Sequence, residues 1–179
     1  MAAKKKSSKK SSPKRSPVST LLIKQHKEVK GIFKQLEDGS AKAPALLKQL
    51  ANNLAAHMTI EQEIYYPAVE QLKKDLVLES YEEHSLAELG LKRLLETSPK
   101  DESFKAKVTA CKELIEHHVE EEEDELFRAV DQKMSADVLR EMAKEMKTRF
   151  DKALAAGFAK EVPASPKGFA RTSADLSVQ

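Results

Sequence analysis

Two short stretches of the chain repeat one pattern of ligand-type side chains. LAAHMTIEQEIYYP (residues 54–67) carries His57-x-x-x-Glu61, and LIEHHVEEEEDELF (residues 114–127) carries His118-x-x-x-Glu122. In both, an acid lies two residues past the glutamate (Glu63, Asp124), and the run ends in a bulky pair, Tyr65-Tyr66 or Leu126-Phe127. Residues four apart share a helix face. An imidazole and a carboxylate placed that way form a two-pronged clip for a metal cation. Two further histidines stand alone in apolar stripes of helical period: Leu22, His26, Val29, Phe33, Leu36, and Val77, Tyr81, His84, Ala87, Leu91, Leu95. The clips lie in equivalent stripes, Leu50, Leu54, His57, Glu61, Ile64, and Phe104, Val108, Cys111, Ile115, His118, Glu122. The polar groups therefore point where the leucines point.

A lone histidine on an apolar face is ordinarily a hydrogen-bonded core residue, and either His–Glu pair could be a local ion pair. Four imidazoles and two carboxylates sharing one core need more than that. A buried charge without good partners costs several kcal/mol, against a whole-domain stability of about 5–15 kcal/mol. A bound metal ion removes the conflict. The donors are too many for one tetrahedral zinc and too rich in nitrogen for calcium or magnesium. Imidazole with carboxylate suits iron, manganese, or a dinuclear pair with bridging glutamates. The Glu-x-x-His motif of ferritin-like di-iron proteins occurs nowhere in the chain.

The elements that must position these groups read as helices throughout. The 179 residues are one domain's worth, 40% hydrophobic and 34% charged, with five glycines and no tryptophan. No segment alternates with period two, so no strand is expected. A first helix runs from about Pro17 to Asp38 and stops at Gly39, a C-terminal signal. A second starts near Pro44 and reaches about Lys74, with Pro67 expected to kink it or end its regular part. A third spans about Asp75 to Thr97, and a fourth runs from Asp101 or Phe104 to Lys133. Ser135 is the expected N-cap of a fifth, which ends near Ala156 before Gly157. Short connections favour antiparallel neighbours. The fold class is all-α: an up-down-up-down four-helix bundle with an additional C-terminal helix.

Residues 18–158 form the expected bundle, flanked by two expected disordered tails, residues 1–17 and 159–179. The first is low-complexity and basic, with Lys4, Lys5, Lys6, Lys9, Lys10, Lys14 and Arg15 and no acid. The net charge of +2 thus hides an acidic domain with a basic extension. That extension suits weak binding of nucleic acid or another polyanion, though it has no aromatics for base stacking, and a solubilising role fits equally. The single cysteine, Cys111, excludes an internal disulfide framework and fits a reducing compartment. No apolar run is long enough to span a bilayer, and no secretory signal is visible. The expected location is cytoplasmic.

His26, His57-x-x-x-Glu61, His84 and His118-x-x-x-Glu122 together resemble the hemerythrin, or HHE cation-binding, domain over about residues 18–133. The resemblance implies a left-twisted four-helix bundle around a non-haem centre of two Fe ions. It implies bridging roles for Glu61 and Glu122, and terminal ligand roles for His26, His57, His84 and His118. It also implies a small-molecule ligand: dioxygen, peroxide or nitric oxide, bound or reacted with in sensing, stress response or iron handling. The alternatives are a metal-storage module without redox turnover, or a helical interaction protein acting through its basic tail. Oxygen-carrying members have a fifth histidine one turn before the third-helix ligand. This chain has Ser80 there. That leaves the position to water, Glu88 or Tyr81, an arrangement suited to reaction at an open coordination site.

Nearby residues tempt less. His117 falls about 100° around the helix from His118 and should face away from the core. Glu120, Glu121, Glu123 and Asp124 read as a solvated face. Tyr65 and Tyr66 read as core or rim, with Tyr81 the tyrosine closest in pattern to the site. Met142 and Met146 read as packing.

Overall fold

The computed structural model describes residues 15–158, and all regular structure among them is helical. Most of residues 1–17, and all of 159–179, for which tails are expected, lie outside the described residues. Helix α1 spans Pro17–Glu37. Ser16 caps it, its Oγ accepting the Ser19 N–H at 3.1 Å, and Pro17 supplies a first-turn φ at no loss of hydrogen bonding. Gly39, at φ 76°, turns the chain out of the helix, a conformation a Cβ would oppose. Helix α2, Ala43–Ile60, returns alongside α1.

The second helix of the sequence is not one regular helix. After Ile60 a π turn, Glu61–Tyr65, leads into a short helix α3, Tyr66–Val69, and a 3-10 turn, Glu70–Leu72. Helix α4, Lys74–Leu95, and helix α5, Phe104–Glu121, form the second hairpin. A second π turn, Glu122–Leu126, precedes α6, Phe127–Lys133. Helix α7, Ala136–Ala156, capped by Ser135, lies across α1 and α2.

Both π turns begin at the glutamate of a His-x-x-x-Glu clip. The N–H of Tyr66 donates to the Glu61 carbonyl, and that of Phe127 to the Glu122 carbonyl, each five residues back. The extra residue in the turn brings both members of each bulky pair inside: Tyr65, Tyr66, Leu126 and Phe127 are all fully buried. It also bears on Pro67, two residues after which the regular helix ends, at Val69. In the same five-residue register Pro67 would donate to the Gln62 carbonyl and has no N–H to do so. The Tyr81 hydroxyl donates there instead, at 3.4 Å.

The core divides in two. One apolar cluster, including Phe33, Leu50, Leu91 and Val108, fills the end near the α1–α2 and α4–α5 turns. The other, including Leu22, Ile60, Tyr65 and Phe127, packs against α7 through Met142, Met146 and Phe150. Each fully buried side chain of this kind contributes roughly 1.5–3 kcal/mol. Between the two clusters lies a layer of buried histidines and glutamates.

Candidate metal centre

That layer holds the six residues singled out by their spacing. His26, His57, His84 and His118 are buried, and Glu61 and Glu122 are 0% exposed. Four helical segments deliver them: α1 brings His26, α2 and its π turn His57 and Glu61, α4 His84, and α5 and its π turn His118 and Glu122. Their potential ligand atoms form two groups, each within 4.8 Å: His26, His57, Glu61 and Glu122, and Glu61, His84 and His118. Glu61 belongs to both.

The hydrogen bonds at the far side of each ring decide what faces inward. His57 Nδ1 lies 2.8 Å from Gln25 Oε1, His26 Nδ1 lies 2.9 Å from Glu123 Oε1, and His118 Nδ1 lies 2.7 Å from Glu83 Oε2. Glu123 and Glu83 are acceptors, and so is Gln25 with its oxygen at the ring as placed, so each Nδ1 carries the proton and each Nε2 presents a lone pair. His84 Nδ1 is 3.1 Å from the Gln62 side-chain amide, whose oxygen and nitrogen are interchangeable by a flip. With the oxygen turned to the ring, the fourth histidine conforms as well.

The inward side is then crowded with electron pairs. His57 Nε2 lies 3.1 Å and His84 Nε2 3.4 Å from Glu61 Oε2. His26 Nε2 lies 3.5 Å and His118 Nε2 3.7 Å from Glu122 Oε2. His84 Nε2 and His118 Nε2 face each other at 3.1 Å. Neither oxygen of Glu61, nor Glu122 Oε2, nor His26 Nε2 has a hydrogen-bond partner among the protein's own groups. A buried acceptor without a donor costs about 1–3 kcal/mol, more when charged. Protons or cations are what such a constellation lacks, and imidazole with carboxylate is a donor set for transition metals. The residues present fit a metal ion.

Without a metal the titrations are driven apart. Burial pushes the Glu61 carboxyl well above its ordinary range, and the negative charge of Glu122 adds to it. Burial acts the same way on Glu122, but His118, His26 and His57 outweigh it and hold that carboxyl far down. Burial keeps His57 and His84 well below the usual imidazole value, each also opposed by a neighbouring histidine. For His26 burial acts downward, but Glu122 and Glu123 prevail and raise it. In the metal-free pair of carboxyls, Glu61 is therefore the one that takes a proton.

The partners of the ring nitrogens follow an order that sequence reasoning missed. Gln25 precedes His26 and orients His57; Glu83 precedes His84 and orients His118. Gln62 follows Glu61 and orients His84; Glu123 follows Glu122 and orients His26. Four of the six ligand-type residues, His26, Glu61, His84 and Glu122, have a chain neighbour that holds a histidine of another helix, and the two halves of the bundle repeat the scheme. Glu123 is thus part of the centre, against its reading as a solvated acid. The available signal was the polar neighbour beside His26, Glu61, His84 and Glu122: Gln25, Gln62, Glu83 and Glu123.

At the fifth-histidine position neither Ser80 itself nor either side chain offered in its place, Tyr81 or Glu88, is among the clustered donors. Ser80 Oγ donates to the Leu76 carbonyl at 2.9 Å, Tyr81 is held by the Gln62 carbonyl, and Glu88 belongs to neither group. Tyr66 occupies the space. Its hydroxyl donates to Glu122 Oε1 at 2.9 Å and lies 3.1 Å from His84 Nε2 and 3.5 Å from His118 Nε2. Burial and the two glutamate charges hold its proton on well beyond the usual phenol range, a balance that a bound cation would reverse.

A cavity of about 20 Å³ lies against the four histidines, with apolar walls from Val29, Leu54, Met58 and Ala87. That is room for about one water-sized molecule. A larger cleft of about 470 Å³ between α1 and α5 shares His26, Val29, Ile115 and Val119 with it and opens past Lys27, Lys30 and Glu120. Among the described residues, no helix is long and apolar enough to cross a membrane.

Comparison with known proteins places this arrangement. The profile of the hemerythrin HHE cation binding domain matches residues 18–130. A crystal structure of a hemerythrin HHE cation binding domain-containing protein from Mycobacterium kansasii superposes with a TM-score of 0.69 at 25% identity, covering 77% of this chain and 87% of that one. A curated relative from Nostoc sp., a DNA nickase, is 26% identical over 133 residues, which is 73% of this chain. The match spans 38% of that relative's length.

Proposed function

Since the chain belongs to the hemerythrin HHE cation-binding domain family, we propose that its buried layer holds two iron ions and that the protein binds or reacts with dioxygen, peroxide or nitric oxide. The observation that carries this reading is the set of inward Nε2 lone pairs, two of them fixed by carboxylates and two oriented by amides at Nδ1, facing two partner-poor carboxylates. His26, His57, Glu61 and Glu122 would hold one ion. Glu61, His84 and His118 would hold the other, with the Tyr66 oxygen as a further donor. Bound iron supplies open coordination positions and reversible oxidation state changes.

The chain's own residues do the rest. Glu83, Glu123, Gln25 and Gln62 fix the ring tautomers and raise or temper the basicity of each nitrogen, as outer partners of metal-bound histidines do. Without metal Tyr66 holds a proton at its hydroxyl against Glu122 Oε1, a proton it would release beside a bound cation. The apolar walls of the inner cavity exclude bulk water and favour a small uncharged molecule. The α1–α5 cleft offers that molecule a way in. The location remains cytoplasmic in this proposal, on the strength of the single buried cysteine.

Metal analysis of protein from iron-replete cultures, with spectra taken reduced and then in air, tests the reading. About two irons per chain and charge-transfer bands appearing in air are expected. His118→Ala and Glu61→Ala should each drop the iron well below one per chain while the helices persist. Zinc at full occupancy, or unchanged iron in both variants, would overturn the proposal.

A second reading rests on the Nostoc relative, a DNA nickase, together with the basic run Lys4 to Lys14. Arg15 is not free to join that run: it reaches the Glu123 carbonyl at 3.2 Å and Asp131 at 3.7 Å. If residues 1–14 contact nucleic acid, deleting them abolishes salt-sensitive DNA binding. If binding persists unaltered, this second reading fails.

A further inference from the structure

Outside the inner layer, one more group of ligand-type atoms is gathered: Glu83 from α4, with His117 and Glu121 from α5. His117 and Glu121 stand four apart on the outward side of their helix. This is the clip geometry of the inner site rotated toward solvent, and the His117 side chain is 60% exposed. Glu83 is buried and reaches both ways. Its Oε2 accepts from His118 Nδ1 at 2.7 Å, which leaves Oε1 for the outer side.

The distances are those of ligands and not of hydrogen bonds. His117 Nε2 lies 3.8 Å from Glu83 Oε1 and 3.8 Å from Glu121 Oε1. That is too long for a hydrogen bond. Two donors each about 2.1 Å from one ion sit roughly 3–4.2 Å apart, depending on the angle between them. Of the Glu121 carboxylate, Oε1 faces His117, while Oε2 is shut off from solvent and has no hydrogen-bond partner. Glu79 and Glu125 add negative charge to the surroundings. The corresponding positions of the other half of the bundle are Gln25, Ala56 and Ile60. The latter two are fully buried, and Ile60 and Ala56 belong to the apolar cluster that packs on α7. The bundle does not by itself require ligand-type residues at these places.

We propose that Glu83, His117 and Glu121 form an outer cation site that takes one divalent transition-metal ion through one nitrogen and two carboxylate donors. Water completes its coordination on the open side. The class of ion is the zinc, manganese or ferrous class, which accepts imidazole with carboxylate. The assignment does not depend on what the inner layer holds. Its carboxylate at Glu83 nonetheless touches both, so an ion bound outside draws electron density from the partner of His118.

Calorimetric titration of the full-length, chelator-stripped protein with Zn2+ tests it. Beyond any tight inner phase, the wild type should bind one weaker equivalent. His117→Ala should weaken that equivalent by more than about 100-fold, beyond the loss of a mere outer partner. Glu121→Gln should weaken it at least about 10-fold. Both positions are partly or well exposed, and circular dichroism checks that the helices persist. Glu61→Gln should abolish the inner phase and keep the weaker one. A wild type with no weaker equivalent, or a His117→Ala protein that titrates like the wild type, overturns the proposal. A wild type with the His117-dependent ion and no inner phase supports the outer site and refutes the inner centre.

Discussion

Glu61→Gln should make the metal-free protein more stable and the metal-loaded protein less so. Glu61 Oε2 faces the lone pairs of His57 and His84 at 3.1 Å and 3.4 Å, and neither carboxyl oxygen has a partner. A glutamine of the same shape brings two N–H donors to those lone pairs and no charge. One or two added hydrogen bonds at roughly 0.5–1.5 kcal/mol each amount to about 1–2 kcal/mol. For a chain of this size that is about 2–8 °C in Tm. The sign with pH follows from the raised Glu61 carboxyl. Between the unfolded value of 4.5 and the higher folded value, the folded wild type holds a proton that the unfolded chain has lost. Wild-type stability from this group is full below 4.5 and falls as pH rises, by up to about 1.4 kcal/mol per unit. The variant lacks that slope, while the buried histidines act on both proteins and cancel. The gap should therefore widen from pH 5 upward. With metal the order reverses, because an ion at 100 times its Kd stabilises the wild type by about 2.7 kcal/mol and the variant by almost nothing. Thermal melts in chelator and in metal, at pH 5, 6 and 7, measure all of this. A variant less stable than wild type in chelator, or a gap that is flat with pH, would refute the argument that a partner-poor carboxyl strains the metal-free core.

Three other perturbations read different parts of the structure. Tyr66→Phe should abolish any phenolate-to-iron charge-transfer band in the oxidised protein while iron content stays above half that of wild type; an unchanged visible spectrum would remove Tyr66 from the donor set. Gly31→Ala should stabilise by about 0.8–1 kcal/mol by helix propensity, because Gly31 is mid-helix in α1 with nothing within 4 Å of an added Cβ; denaturant midpoints that fall would show a contact there. Cys111 is buried, and that burial pushes its thiol up to about 11. A thiol reagent at pH 8 should label it only after unfolding, and rapid labelling of the folded protein would contradict the packing of α4 on α5.

The helices and the inward direction of the six ligand-type residues were legible in the sequence because both are local. Periodicity of three and four places Leu22, His26 and Val29 on one face whatever the rest of the chain does, and Ser16, Gly39 and Ser135 mark ends through their own backbone chemistry. The four-residue step from His57 to Glu61 needs no knowledge of α4 or α5. What only the tertiary structure decided is everything that crosses between helices. Gln25, Gln62, Glu83 and Glu123 orient histidines of other segments, and no spacing along one helix reveals that. The exchange of Tyr81 for Tyr66 near the Ser80 position has the same origin. The π turn at Glu61 rotates the next residues by one place, sending Tyr66 into the layer. It leaves Tyr81 to satisfy a carbonyl that Pro67 cannot. A π turn adds one residue for a poorer local hydrogen-bond geometry, so local preference opposes it. Its stabilisation comes from the buried side chains and the polar layer that it completes.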